Sequence, residues 1–160
     1  MDLRIGHGYD LHRLKTGGEL MLGGICVSRQ ISPVAHSDGD VAIHALVDAL
    51  LGAMGWGDIG ELFPNTDPKW KDAPSREFLR TVMEKVHCEG FAVINADLTI
   101  LTERPKLKEF KPAIRQTLAD LLETAAERVN IKAGTNEGCD AIGRGEALAA
   151  HAVVLLGRGM

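Results

Sequence analysis

Residues 41–54, VAIHALVDALLGAM, are apolar nearly all round, the pattern of a helix that other elements must enclose. Ser37, Asp38 and Asp40 supply capping candidates just before it. A chain carrying such a helix needs sheet and further helices to wrap it. Its 160 residues, 45% hydrophobic and 25% charged, suffice for one globular domain spanning 1–160 without disulfides or metals as staples.

The remaining pattern supplies those elements. Residues 3–7 and 20–28 read as strands separated by the polar turn KTGGE, with Gly23-Gly24 marking a bulge in the second. A helix is predicted over 76–89, with Ser75 as N-cap, Phe78, Leu79, Val82, Met83 and Val86 on one face, and Gly90 past its end. Residues 91–102 are strand-like. After the polar segment TERPKLKEF, a third helix should run from Pro112 to Arg128 with Ile114, Leu118, Leu121, Leu122 and Ala125 as its stripe. VNIKAG is a short strand, TNEGCDAIGRGE a loop, and ALAAHAVVLLGR fits helix or strand equally.

Crossovers are few and the sheet is small, so the expected class is α+β: a small mixed β-sheet with helices packed on one face. The other face needs a cover. Oligomerisation through it is the simplest solution, although pattern does not set the number of subunits.

Composition excludes several function classes. A net charge of −4 provides no general basic face for nucleic acid or an anionic membrane. The N-terminus MDLRIGHGYD has no signal-peptide or transit character, and no run of 18 apolar residues occurs, so the expected location is the cytoplasm. Cys26, Cys88 and Cys139 match neither a disulfide framework nor a CxxC zinc site and read as reduced and mostly structural. Four of the six histidines, His7, His12, His36 and His44, fall in the first 44 residues, which directs attention there.

Asp10 and His12 are two apart, and in extended chain that spacing points both side chains to one side. His44 sits inside the apolar helix with Asp40 and Asp48 at i−4 and i+4. Two readings compete. His44 is a core histidine satisfied by Asp48 or Asp40, or one of its nitrogens binds metal while Asp48 or a backbone carbonyl orients the other. Asp10, His12 and His44 together make a two-His, one-carboxylate set with a vacant fourth position, the ligand count of a catalytic zinc. In HSDGD, His36 and Ser37 precede a helix N-terminus that favours an anion such as phosphate; the competing reading makes Ser37 and Asp38 mere caps. KAGTNEG brings Lys132, Thr135 and Glu137 together as cation, donor and hard oxygen ligand, or leaves them as solvated surface groups. No Walker pattern, GxSxG elbow or HExxH is present.

Five segments, RIGHGYDLHRL, AHSDGDVAIHALVDALLGAMGWGDIGELFPNTDP, LTERPKL, KAGTNEG and GRGEA, occur in this order over nearly the whole chain. Together they resemble the 2-C-methyl-D-erythritol 2,4-cyclodiphosphate synthase family of the non-mevalonate isoprenoid route. The resemblance implies an α+β homotrimer whose sheets meet at its centre, with sites shared between subunits. It makes Asp10, His12 and His44 ligands of one Zn2+, and Glu137 the ligand of a Mg2+ or Mn2+ ion bound with substrate. His36 with Ser37 would hold the transferred phosphate, and Thr135 would stabilise the transition state. Asp58, Ile59 and Gly60, with Phe63, Pro64, Asn65, Thr66 and Asp67, would hold the methylerythritol part. Thr102, Pro105, Lys106, Leu107 and Lys108, with Ala133, Gly134 and Asn136, would frame the cytidine. Arg144 would face the trimer axis, where an isoprenoid diphosphate is a further expected ligand.

The implied reaction converts 4-diphosphocytidyl-2-C-methyl-D-erythritol 2-phosphate into the cyclic diphosphate and CMP. Alternatives are a zinc-dependent nucleotide hydrolase and a non-catalytic trimeric binding module. Some family members are fused to a cytidylyltransferase, for which this chain has no room. Asn65 stands where the family usually has Asp, Gly134 where Thr is common, and Ala141 where an aromatic is frequent.

Overall fold

The structure is a computed structural model that describes residues 2–159. In chain order it contains β1 (Asp2–Thr16), β2 (Leu20–Leu22), β3 (Ile25–Ser28), β4 (Ile31–Pro33), α1 (Val41–Met54), α2 (Ile59–Leu62), α3 (Ser75–Cys88), β5 (Ala92–Leu101), α4 (Lys111–Leu121), β6 (Val129–Gly134), α5 (Asp140–Gly143) and β7 (Ala147–Arg158). Five strands form a mixed sheet in the order β4-β1-β7-β5-β6, and β2 and β3 form a separate hairpin. β7 is antiparallel to both β1 and β5, whereas β5 and β6 run parallel. The α+β class agrees with the expectation.

The apolar helix forms as predicted. Asp40 caps α1 by accepting from the backbone of Ile43 at 3.1 Å, and Gly55, at φ 72°, closes the other end in the left-handed conformation. The fully buried Asp40 carboxylate also accepts from Gly23 N at 2.9 Å and Gly24 N at 2.8 Å. One side chain thus ties the β2–β3 hairpin to the start of α1. Gly23 and Gly24 are therefore the two-residue turn of that hairpin, with φ of 57° and 80°, and not a bulge; the register shift lies between Leu20 and Met21.

β1 extends well beyond the predicted 3–7. Its polarity is inverted relative to an ordinary half-buried strand: Gly6, Gly8, Asp10 and His12 point toward the helices, while Leu3, Ile5, Tyr9 and Leu11 are exposed on the opposite face. The glycines let α1 lie directly on the strand. A Cβ on Gly6 would come 1.8 Å from Ala49 O, and one on Gly8 1.8 Å from Ala45 O. This close approach sets the depth at which the side chains of α1 meet those of β1.

β7 resolves the ambiguous C-terminal segment as a strand. It lies between β1 and β5, with Leu148, Ala150, Ala152, Val154 and Leu156 packed in the main core. Its Ala147 and Ala149 are buried on the other face beneath Ile142 of α5. α4 ends at Leu121 and not at Arg128, because Glu123 adopts a positive φ of 51° and the chain re-enters a short 3-10 turn at Ala126–Arg128. Outside the small α5 patch, the face of the sheet away from the helices carries Ile5 at 72% and Leu3 at 51% exposure, with Tyr9, Leu11 and Val153.

Cys26, Cys88 and Cys139 are all free thiols, as expected. Cys88 and Cys139 are exposed and Cys26 is half-buried. No helix among the described residues is long and apolar enough to cross a membrane.

Candidate active site

Asp10 and His12 project from the same face of β1 toward His44 on α1. Asp10 Oδ2 lies 3.1 Å from His12 Nε2 and 3.0 Å from His44 Nδ1, and the two ring nitrogens are 3.3 Å apart. A tetrahedral ion with ligand bonds of roughly 2.0–2.1 Å separates neighbouring ligand atoms by about 3.3 Å. The three atoms already stand near the corners of one tetrahedral face, and they form a possible metal site. Burial raises the pKa of Asp10, but hydrogen bonds from His12 and His44 outweigh it and hold the carboxyl well below the ordinary range. Burial lowers that of His44, and the adjacent Asp10 carboxylate more than reverses this, so the net shift is upward.

Neither Asp40 nor Asp48 bonds the imidazole of His44 with its side chain. Asp40 is committed to the hairpin turn and the cap, and Asp48 accepts from the backbone of Ile59 at 2.7 Å. Burial raises the pKa of Asp48. The polar stripe predicted along α1 therefore divides: Asp48 holds the start of α2, and His44 finds partners on other elements. His44 Nε2 lies 2.8 Å from Ser75 Oγ and 3.2 Å from Ser37 Oγ. Ser75 is the first residue of α3 and not its N-cap; Asp38, from the loop before α1, accepts from its backbone N–H at 3.0 Å.

A cavity of about 390 Å³ opens beside these three side chains, lined by His36, Ser37, Ile59, Gly60, Phe63 and Asn65 together with Val34, Ala35, Trp70 and Phe78. At the N-terminus of α1 the buried Asp40 carboxylate takes up the Ile43 N–H. His36 and Ser37 face the cavity. Asp58 caps α2 through Glu61 N at 3.0 Å, and Asp67 caps the 3-10 turn Pro68–Trp70 through Lys69 N at 2.9 Å. Phe63, Trp70 and Phe78 form an aromatic wall, with Phe63 stacked 4.6 Å from Phe78 and edge-on 4.8 Å from Trp70. Pro64 and Thr66 belong to the same loop but not to the cavity lining.

A second cavity of about 270 Å³ is lined by Thr102, Pro105, Lys106, Leu107, Lys108, Lys111, Ala133, Gly134 and Thr135. The buried Thr102 hydroxyl donates to Arg104 O at 2.7 Å, which shapes the loop after β5. Asn136 N donates to Glu103 at 3.0 Å, and the Thr135 hydroxyl donates to the exposed Glu137 carboxylate at 3.4 Å. Lys132 does not join this group, because it pairs with Asp97 on β5 at 2.6 Å and holds that carboxyl's pKa down. Arg144 is exposed and paired with Glu146 at 2.9 Å, while Ala141 packs against the small α5 cluster.

No described residue lines both cavities. Across the sheet Asp10 pairs with Ala150, Ala150 with Ile100, and Ile100 with Ala133. Three strand spacings, roughly 14 Å, therefore separate the two rows that the sequence-predicted site residues occupy. Sequence reasoning missed Trp70, Val34 and Ala35 as cavity walls and gave Ser75 and Phe78 only structural places. The aromatic spacing around 63–78 was the available signal, but contacts between separate elements leave no period in sequence.

The family model described as the YgbB family matches residues 3–157. The chain belongs to this family. It is 52% identical over 155 residues to the 2-C-methyl-D-erythritol 2,4-cyclodiphosphate synthase of Thioalkalivibrio sulfidiphilus, covering 97% of each protein. The structure resembles a solved 2C-methyl-D-erythritol-2,4-cyclodiphosphate synthase in its CDP-bound form, with a TM-score of 0.89, 43% identity and coverage of 96% of this chain and 100% of that one. It also resembles the bifunctional IspDF from Campylobacter jejuni, with a TM-score of 0.93 and 42% identity, covering 97% of this chain and 42% of that longer one.

Proposed function

We propose that this YgbB-family chain, acting as one domain over 1–160 in the cytoplasm, converts 4-diphosphocytidyl-2-C-methyl-D-erythritol 2-phosphate into 2-C-methyl-D-erythritol 2,4-cyclodiphosphate and CMP. The observation that carries this reading is the Asp10/His12/His44 face, spaced for one tetrahedral ion and opening on a polar-rimmed cavity. A 2-phosphate oxygen bonds to the β-phosphorus, the bond from that phosphorus to the oxygen bridging it to the α-phosphate breaks, and CMP leaves as the anion. Substrate supplies the nucleophile, so the protein aligns attacker and leaving group and meets the developing charge.

Zn2+ held by Asp10, His12 and His44, and Mg2+ or Mn2+ held by Glu137, would supply Lewis-acid stabilisation to the phosphates. Two cations also answer how a chain of net charge −4 binds a multiply charged anion. His36 and Ser37 orient the 2-phosphate side. Asp58, Ile59, Gly60 and the 63–67 loop enclose the methylerythritol part, and Thr135 donates to the transferred phosphate. The Thr102–Lys108 loop with Ala133, Gly134 and Asn136 receives the cytidine.

Incubating the purified protein with substrate and divalent ions, followed by phosphorus NMR, tests this reading. The cyclic diphosphate with CMP is expected; an acyclic diphosphate would instead identify a hydrolase, and no turnover a binding module.

The two cavities lie too far apart in one chain to grip one diphosphate, which supports sites completed by a neighbour in a homotrimer. The exposed Leu3, Ile5, Tyr9, Leu11 and Val153 supply an apolar face for that contact. Arg144 at the axis would then hold the head of an isoprenoid diphosphate, with Ala141 offering its tail little contact. His44→Ala and Glu137→Gln subunits, each inactive alone, should regain activity when mixed and reassembled. With equal mixing, about a quarter of the heterologous interfaces join two intact halves. Absence of recovery, with mixed trimers seen by native mass spectrometry, would place each site in one chain.

A further inference from the structure

We propose that Asp38 and Ser75 are positioning residues that keep the proton of His44 on Nε2 and so leave Nδ1 as the ion-binding nitrogen. This rests on the reading that Asp10, His12 and His44 hold the ion, and it adds a chain of contacts behind His44.

Asp38 is locked in place by the backbone. Its Oδ2 accepts from Ser75 N at 3.0 Å and its Oδ1 from Asp40 N at 3.2 Å. Oδ1 also accepts from the Ser75 hydroxyl. An ionised carboxylate only accepts hydrogen bonds, whereas a hydroxyl has one proton to donate and lone pairs to accept with. The single Ser75 proton is therefore committed to Asp38. The Ser75 oxygen, fully buried and 2.8 Å from His44 Nε2, can satisfy that nitrogen only by accepting from it. Ser37 Oγ, at 3.2 Å from the same nitrogen, already receives Gly39 N at 3.2 Å and offers a further lone pair.

The opposite nitrogen, Nδ1, faces Asp10 Oδ2 at 3.0 Å and His12 Nε2 at 3.3 Å. A neutral imidazole there has a choice. Asp10, as an anion, attracts the ring proton to Nδ1, and a proton on Nδ1 blocks the lone pair an ion needs. The Asp38–Ser75 pair places a carboxylate-backed acceptor at the other end of the ring, which draws the proton to Nε2 and frees Nδ1. Phe78, whose ring centroid is 6.0 Å from that of His44, lies at an interplanar angle of 33° beside the imidazole. Partners behind a metal-bound histidine act in this way, orienting the ring and selecting its tautomer.

The test uses the full-length protein labelled with 15N-histidine and loaded with one equivalent of Zn2+. Long-range proton–nitrogen correlation spectra, with His44 assigned by the signal lost in His44→Ala, should show Nε2 protonated and Nδ1 ion-bound. In parallel, competition with a chromophoric chelator should show Ser75→Ala weakening zinc binding about 10- to 100-fold and Asp38→Asn weakening it in the same direction. One equivalent of zinc bound with the proton on Nδ1, or unchanged affinity in a folded Ser75→Ala, overturns the positioning role and leaves the metal site standing. Failure of the unaltered protein to take up zinc would overturn the metal site itself. The spectrum of the unaltered protein decides the tautomer even if a variant does not fold.

Discussion

His44→Ala is expected to lose about one equivalent of zinc and to lower turnover about a thousandfold or more, because a Lewis acid at a phosphoryl group is worth several kcal/mol and each 1.36 kcal/mol is tenfold in rate. Glu137→Gln is expected to keep the zinc and lose most turnover, since Glu137 lies in the loop beside the second cavity, away from the Asp10/His12/His44 face. Metal analysis of dialysed protein alongside product assays distinguishes the two. If His44→Ala retained both zinc and rate, the ligand assignment would be wrong. Acidification acts on the same face. The Asp10 carboxylate raises the pKa of His44, so protons compete with the ion from a higher pH than at an ordinary histidine. Zinc affinity should thus fall as pH is lowered through that raised value and recover above it.

Gly8→Ala, like Gly6→Ala, should be strongly destabilising for a single added methyl. Its Cβ would sit 1.8 Å from Ala45 O and 2.7 Å from Ala49 N, both backbone atoms that move only if α1 moves. Forcing a packed helix off its strand costs about 3 kcal/mol, the upper end of what overpacking usually costs, which for a domain of this size lowers the melting temperature by roughly 10 °C. Lifting α1 also withdraws His44 from Asp10, so zinc affinity should fall together with stability. Gly52→Ala is the control on the same helix. Its added Cβ has no neighbour closer than His7 O at 3.9 Å, and alanine favours helix by about 1 kcal/mol. Thermal melts of the two variants should move in opposite directions, and equal melting of Gly8→Ala and the unaltered protein would contradict the close-approach account.

The local features were legible in sequence wherever one element determined them. α1 follows from an apolar run, broken only by His44, Asp48 and Gly52, between Asp40 and Gly55, and the shared direction of Asp10 and His12 follows from the two-residue period of a strand. Motif order further placed the chain in its family, and the fold class followed from the mixture of elements. What failed in sequence failed for stated physical reasons. The 147–158 segment has no readable alternation because β7 is central and largely covered on both faces. The length of β1 was hidden because its inward face bears glycines, Asp10 and His12 while its apolar residues point outward.

Tertiary structure alone decided the partners of His44. Periodicity along α1 offered Asp40 and Asp48, yet the ring meets Asp10 from β1 and Ser75 from α3, and Asp40 and Asp48 serve the hairpin turn and α2. It alone separated the candidate site into two cavities at different strands of one sheet. A hydrogen bond between elements depends on how closely they pack, and here that distance is set by two glycines whose missing Cβ atoms let a helix backbone rest on a strand. Sequence therefore determined which residues face which way along each element, and packing determined which of them meet.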